Sequence, residues 1–422
     1  MTASIVLFAI CYLFIATEKV DKTIVVLLGA ALAIVLQLIP YHEALLKVDL
    51  NVVFLLTGMM MIVNVLAQTG LFEWVAVGIV RKCRGNGVAI MASLMVVTAV
   101  FSALLDNVTT VILIAPITIL IAQILEIPAT PLLIAEALFS NIGGTSTLVG
   151  DPPNILIGSQ GGLGFNDFLV NLAPVVGVIM IVALAVMVIW FRKRLTVGQR
   201  AKQRLARTRP DLAIIEPQTL KRALPVLGLV MLGFIGGRWL HIEPGIVALA
   251  GGVLMVLVCK YDLSAVIEHV EWNTVFFFIG LFMLVGSLEA NGVFEELGRL
   301  LIDWTHGNLF AAALIILWSA AILSAIVDNV PLVVAMIPLI KYVAPAFADQ
   351  MGITGMPEAI HAQVEAPLLW SLALGACLGG NGSIIGASAN VVIVQVARRN
   401  RYKLSFWDFT RYGFPIMIIS LV

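Results

Sequence analysis

Charge is what this sequence has least of. Only 12% of its 422 residues are Asp, Glu, Lys or Arg, against roughly 25% in soluble domains; 61% are hydrophobic and the mean hydropathy is +1.05. That shortage excludes a water-soluble globular protein and leaves no room for a soluble catalytic domain. Neither sign of charge is in excess, 25 basic residues facing 25 acidic ones, so nucleic acid is not an expected partner. Cysteine is scarce too: Cys11, Cys83, Cys259 and Cys377 lie far apart with no CxxC pair. This argues against a disulfide framework and a zinc site, and the four read as small buried hydrophobes. The five histidines, His42, His241, His269, His306 and His361, fall in or beside the connections between apolar runs. No nucleophile with a histidine partner is found and no phosphate-binding loop, so neither an enzyme nor ATP binding by this chain is expected. Residues 1–16 lack a basic n-region and a cleavage site and read as a retained first span.

What is present in abundance is apolar runs of about 20 residues, each enough to cross the hydrocarbon of a bilayer. The reading is an all-α polytopic membrane protein, with spans expected at 4–16, 23–39, 52–68, 88–125 interrupted at Asp106, 131–160 interrupted near Gly143, and 168–191. A second set is expected at 223–240, 244–259, 274–289, 311–342 broken at Asp328, 367–397 broken at Gly379, and 406–422. The two sets match residue by residue. Residues 20–116 lie over 242–338 at an offset of 222, and Asn51, Phe54, Gly58, Met61, Gly70, Phe72 and Glu73 recur as Asn273, Phe276, Gly280, Met283, Gly292, Phe294 and Glu295. Asp106-Asn107-Val108 recurs as Asp328-Asn329-Val330. At an offset of 236 Gly143-Gly144, Gly150 and Asn154 recur as Gly379-Gly380, Gly386 and Asn390. Chance likeness of apolar segments would not pair Asp-Asn with Asp-Asn, so the chain is read as an internal duplication of the kind that builds secondary transporters. The first repeat is 1–191 and the second 223–422.

Between them lies 192–222, with ten basic and two acidic residues. The positive-inside rule makes this linker cytoplasmic. Tracing outward puts the N-terminus outside and gathers Lys19, Lys22, Arg81, Lys260 and Arg398 on the cytoplasmic side of the inner membrane, with the two repeats in inverted topology. Amphipathic stretches after Gly70 and Gly292 are expected to be interfacial helices.

The breaks carry the chemistry. A re-entrant helical hairpin with Asp106-Asn107 at its tip has orphan N–H groups at the start of its second helix, which these residues are suited to cap. Capping alone would explain them, yet a carboxylate at bilayer depth is expensive and Ser or Thr would serve. The second break, residues 141–154, packs three glycines, three hydroxyls, Asp151 and tandem prolines into an apolar run, where a continuous helix is disfavoured. Unwound backbone at that depth is tolerated only where it lines an enclosed or watery cavity. Its counterpart, 378–390, has Asn381 for Thr145 and Ala387 for Asp151, and the hairpin tip has Pro331 for Thr109. Two inequivalent clusters of carbonyls, amides and hydroxyls facing each other make a binding site. The N-glycosylation pattern at Asn107 and Asn381 is discounted because both lie at membrane depth.

These motifs, Asp106 to Thr110, Gly143 to Asn154 and Gly379 to Asn390, resemble the ion transporter superfamily. They are most similar to its branch of arsenite-efflux permeases and sodium/proton antiporters and to the animal P protein. The resemblance implies a scaffold part and a transport part moving as an elevator, often in a homodimer. It implies substrate or ion contacts at Asn107, Thr109, Thr145, Ser146, Thr147, Asn154, Asn329, Asn381, Ser383 and Asn390. Dicarboxylate members usually carry Ser-Asn-Thr at both tips; Asp-Asn-Val here argues against an anionic substrate. The expected function is efflux of arsenite or antimonite in exchange for protons carried by Asp106, Asp151 and Asp328, with sodium/proton antiport as the alternative. No cofactor is expected beyond a proton or Na⁺ gradient; a separate ATPase subunit is left open as a partner, besides membrane lipid.

Overall fold

In the computed structural model, residues 1–17, 19–206, 210–353 and 357–422 are described. Arg207 and Arg209, counted among the linker's basic residues, lie outside them. The described residues form helices and connecting turns, with no strand among them. Eight helices are long and apolar enough to cross a membrane, or up to nine if the bent pair Val293–Thr305 and Leu309–Ser324, which meet at 119°, is one span. The shorter apolar helices Thr2–Thr17, Lys22–Val35 and Pro244–Cys259 join them. This is the all-α membrane architecture that the composition requires.

Helix bounds recur at the sequence offsets. Leu50–Gln68 and Trp272–Ala290 are each 19 residues long, Tyr41–Leu46 and Leu263–Glu268 each 6, and both pairs start 222 residues apart. The two halves are not packed as separate units. Lys22–Val35 packs on Trp272–Ala290, while Pro244–Cys259 packs on Leu50–Gln68, so each half lends its second helix to the other. Small residues let these pairs approach closely, which is how helices associate where no hydrophobic force drives them together. A Cβ on Gly58 would stand 2.2 Å from the Ala248 carbonyl carbon, and one on Gly252 2.9 Å from the Gly58 oxygen.

The helices around the breaks form the other part. Gly87–Leu104 and Asn107–Leu125 pack on each other and on Ala129–Gly144, and Leu309–Ser324 packs in the same way on Ala366–Gly379. Both tips are capped as expected: the Asp106 carboxylate accepts from the Thr109 N–H at 2.7 Å, and Asp328 accepts from the Val330 N–H at 3.4 Å. Val293–Thr305 is amphipathic, burying Phe294, Gly298 and Leu301 and exposing Glu295, Glu296, Arg299 and Asp303 beside Leu297 and Trp304, as an interfacial helix does. One feature has no counterpart in the periodicity: before Ala366 the backbone takes a π-helical turn, His361–Glu365, and the His361 Nε2 lies 2.6 Å from the Gly161 carbonyl oxygen.

The linker is attached to the first half. Ile215 N–H donates to the Thr69 carbonyl at 2.9 Å, beside Gly70, whose φ of 78° favours glycine and where a Cβ would stand 1.9 Å from the Ala213 oxygen. Glu216 accepts from the Tyr261 hydroxyl at 2.7 Å and the Thr219 hydroxyl at 2.8 Å. These two donors hold its carboxyl below the usual range, while desolvation first and Glu216 second push the Tyr261 phenol up to about 12.

Two outcomes follow. Gly58→Ala should destabilise the scaffold pairing by about 1–3 kcal/mol, the range for overpacking, whereas Gly177→Ala, with nothing within 4 Å, should be neutral or slightly stabilising; thermal unfolding of the two purified proteins compares them. A carboxyl depressed in the folded state contributes stability above its unfolded value of about 4.3, and that stability is lost as pH falls through the folded value. Tyr261→Phe should therefore bring the Glu216 titration, followed by carbon-13 resonance, up toward the ordinary value.

Candidate functional site

The unwound segments are held by asparagine side chains. Asn154 Nδ2 donates to the carbonyls of Gly144, Thr145 and Thr147 at 3.2, 3.0 and 2.9 Å. Asn390 Nδ2 does the same for Gly380 and Ser383, both at 2.8 Å. Carbonyls that a helix would have satisfied are thus paired without water. Each break is also tied to its hairpin: the Thr147 hydroxyl donates to the Ala103 carbonyl, and Ser383 donates to the equivalent Ala325 at 2.6 Å. The glycines permit this contact. A Cβ on Gly143 would stand 2.2 Å from the Ala99 oxygen, and one on Gly379 2.6 Å from the Ala321 Cα.

A chain of buried amides joins the halves. Asn141 Nδ2 donates to Asn381 Oδ1 at 2.9 Å and to Asn390 Oδ1 at 3.0 Å. Asn141 Oδ1 accepts from Asn107 Nδ2 at 3.2 Å, and the same Asn107 amide reaches Asp151 Oδ1 at 3.1 Å. At the position matching Asn141 stands Cys377, whose thiol lies 3.5 Å from Asn154 Oδ1. Asn107 Oδ1 and Asp151 Oδ2 of this network, and Asn329 Nδ2, have no hydrogen-bond partner among the described residues, and the three residues border one interior space.

That space is a cavity of about 270 Å³. Its polar lining includes Asp106, Asn107, Asp151 and Asn329, and its apolar lining combines Leu56, Met59, Phe277 and Phe278 of the interlocked helices with Leu105, Val149, Ile155 and Val392 around the tips and breaks. Lys22, Glu271, Thr274 and Ser388 also line it. Lys22 Nζ lies 2.6 Å from Asp328 Oδ2, with side chains 36% and 12% exposed, and donates to the Ser388 hydroxyl at 3.2 Å. It also stands 4.9 Å over the Phe277 ring. A larger recess of about 570 Å³ lies among Lys47, Asp49, Gln160, Glu289 and Lys341. It contains the Lys47–Glu289 ion pair at 2.7 Å, and none of its lining side chains is buried and unpartnered, so the smaller cavity is the stronger candidate.

The residues expected at the site divide by what their side chains do. Asp106, Asn107, Asp151 and Asn329 line the cavity, and Asp328 stands at its edge through Lys22. Asn154, Asn390, Thr147 and Ser383 hold backbone, as do Thr145 and Ser146, which donate to Asn141 and Gly143 carbonyls at 2.7 and 2.6 Å. Asn381 lies behind the lining, bonded to Asn141. Thr109 adjoins Asp106 through its backbone N–H. Sequence reasoning missed Lys22, Glu271 and Asn141. Asn141 stood inside the motif, but Lys22 read as a charge on the cytoplasmic side and Glu271 was not singled out, and only the interlocking of the halves brings them to the cavity.

Comparison with known proteins places this geometry. The profile of the family described as citrate transporter matches residues 12–362. The chain belongs to the citrate transporter family. An uncharacterized transporter of Mycobacterium tuberculosis is 42% identical to this citrate transporter family member over 422 residues, covering 99% of this chain and 95% of the relative. The 46 kDa membrane protein of Mycobacterium leprae is 38% identical over 99% of this chain and 96% of its own length. The human P protein is 30% identical over the whole of this chain, which spans 58% of that longer protein. A membrane transporter is therefore established at the level of the family, while the arsenite-permease and sodium/proton-antiporter branch expected from the motifs is not what the matching profile describes.

Asn141 is the side chain on which both halves of the site meet. Asn141→Ala removes two donated bonds and strands the Asn381 and Asn390 oxygens, so it should destabilise the protein by about 2–4 kcal/mol. A lowered unfolding midpoint in detergent is expected; an unchanged midpoint would show that the bridge between the breaks is not structural.

Proposed function

We propose that the chain is a secondary active transporter that exports arsenite or antimonite across the cytoplasmic membrane in exchange for protons. The substrate sits in the cavity between the hairpin tips and the apolar face of the interlocked helices. The observation that carries this reading is the pair of buried acceptors without donors, Asn107 Oδ1 and Asp151 Oδ2, on residues that line a cavity of mixed polar and apolar wall. Buried acceptors without donors favour a solute that brings hydroxyl groups, and arsenite at neutral pH is an uncharged trihydroxide. A free carboxylate anion would meet Asp106, Asp151 and Glu271 against one cation, Lys22, that is already paired with Asp328. The family description names citrate; this charge balance argues against free citrate as the substrate here.

Proton exchange is assigned to Asp151, with Asp106 beside it at the tip. When Asp151 has lost its proton to the cytoplasm the cavity accepts substrate there, and protonation of Asp151 on the other side releases the substrate and sends the carrier back with the proton. The division into an interlocked scaffold and a bundle carrying both tips suits an elevator movement. Lys22, which the positive-inside reading puts on the cytoplasmic side, lines the cavity, and on this reading the cavity faces the cytoplasm. A sodium/proton antiporter is the second reading, because an amide oxygen and a carboxylate oxygen are equally suitable ligands for a hard cation.

Reconstituted protein in vesicles with an internal pH dye separates these. Arsenite-driven proton flux is expected, absent with citrate; flux driven by sodium alone would replace the first reading with the second. Asp151→Asn should abolish coupled flux, at least about a hundredfold, the general scale of a lost proton-transfer group, while leaving the unfolding midpoint within about 1 kcal/mol of wild type. Wild-type exchange by that variant would remove Asp151 from the mechanism.

A further inference from the structure

Glu136 has no part in the site above. It is 2% exposed, in the middle of Ala129–Gly144, and neither carboxyl oxygen has a hydrogen-bond partner among the described residues. The Thr118 hydroxyl of the hairpin faces it, short of full hydrogen-bond geometry. Three buried hydroxyls on the two hairpin helices, Thr98, Thr110 and Thr118, are also without partners. The duplication supplies an internal control. At the matching positions the second half has Ala320 for Thr98, Leu332 for Thr110, Ile340 for Thr118 and Leu372 for Glu136, all buried. The same packing is therefore achieved with a dry apolar interior, and the four polar groups of the first half are not demanded by the fold.

We propose that Glu136 is a second proton-carrying carboxyl of the bundle that bears the tips, distinct from Asp106 and Asp151. This rests on the reading of the chain as a proton-coupled transporter. The elements packed on Ala129–Gly144 include Gly87–Leu104, Asn107–Leu125 and Ala173–Phe191, which contain no titratable residue, and Ala366–Gly379, Ser388–Arg399 and Phe406–Leu421. These last three contribute Cys377, Arg398, Arg399, Asp408, Arg411 and Tyr412, none of which bonds to Glu136. A carboxylate so enclosed, with no cation and no donor, is not sustained in ionised form, so Glu136 holds its proton in this conformation. Thr110 and Thr118 lie eight residues, or about 12 Å, apart along the helix that runs from Asn107 at the cavity to the level of Glu136. In the cycle a proton from water on one side converts the carboxylate to the acid, and the same O–H bond breaks to return it to water on the other.

Three measurements on the full chain test this. Acid-minus-alkaline infrared difference spectra in lipid should show a protonated-carboxyl band that is lost in Glu136→Gln; an unaltered band overturns the proposal. In vesicles, the number of protons exchanged per arsenite, or per sodium if that is the ion moved, should fall by one in Glu136→Gln; a band that is lost with an unchanged ratio shows a carboxyl that titrates without carrying and likewise overturns it. Glu136→Leu, which restores the side chain of the other half, should unfold no lower than wild type, and a clearly lower midpoint assigns Glu136 a structural role instead. If wild type moves neither arsenite nor sodium, both substrate readings fail, while the infrared band still decides whether Glu136 titrates.

Discussion

Backbone carbonyls set free from helix inside a membrane must find donors within the protein, and the rest of this structure depends on how that is met. Asn154 and Asn390 each gather the carbonyls of an unwound segment onto one side-chain amide. Once the carbonyls are paired, the breaks can sit against the hairpins, and the glycines at 143, 150, 379 and 386 let them do so at backbone contact distance. The tips then stand opposite the interlocked helices, and the space between them is the cavity. Most hydroxyls and amides of the motifs are therefore consumed in holding shape. What is left over, on Asn107, Asp151 and Asn329, is what can meet a solute.

The duplication is as informative where it fails as where it holds. Asp106 and Asp328 occupy matching tips, yet Asp328 has a lysine on it and Asp106 does not have the equivalent one, because the position matching Lys22 is Pro244. Asp151 corresponds to Ala387, and Asn141 to Cys377. One tip is thus neutralised by an ion pair and the other lies beside a second carboxyl. A pseudo-symmetric frame holds a site with a charged side and a paired side, which is the asymmetry that the proposed exchange requires.

Most of the frame was legible in the sequence because its signals are local. Apolar runs locate the helices, and Asp at 106 and 328 marks the caps. Glycines with Pro152 and Pro153 announce a break where hydropathy alone would draw one long helix. The matching of Asp-Asn with Asp-Asn identifies corresponding elements even at low overall similarity. What was not legible depends on which helix lies against which. Lys22 and Glu271 sit at span ends, where charge ordinarily marks the membrane surface, and nothing near them in sequence says that the helices they begin pass to the opposite half. Nor does a motif say whether an asparagine offers its amide to a solute or to a carbonyl; Asn107 and Asn154 look alike on the page and differ only in what surrounds them.

The exchange of second helices between the halves constrains how the protein is made. Lys22–Val35 is synthesised early, but the surface it packs on, Trp272–Ala290, does not exist until most of the chain has left the ribosome. At about 5–20 residues per second, that helix waits on the order of ten seconds or more with the face that packs on Trp272–Ala290 uncovered in the bilayer. The first half cannot mature as a finished unit before the second arrives. Assembly in the membrane is closed late, by an event near residue 290, and a chain truncated between the halves would leave both scaffold pairings open.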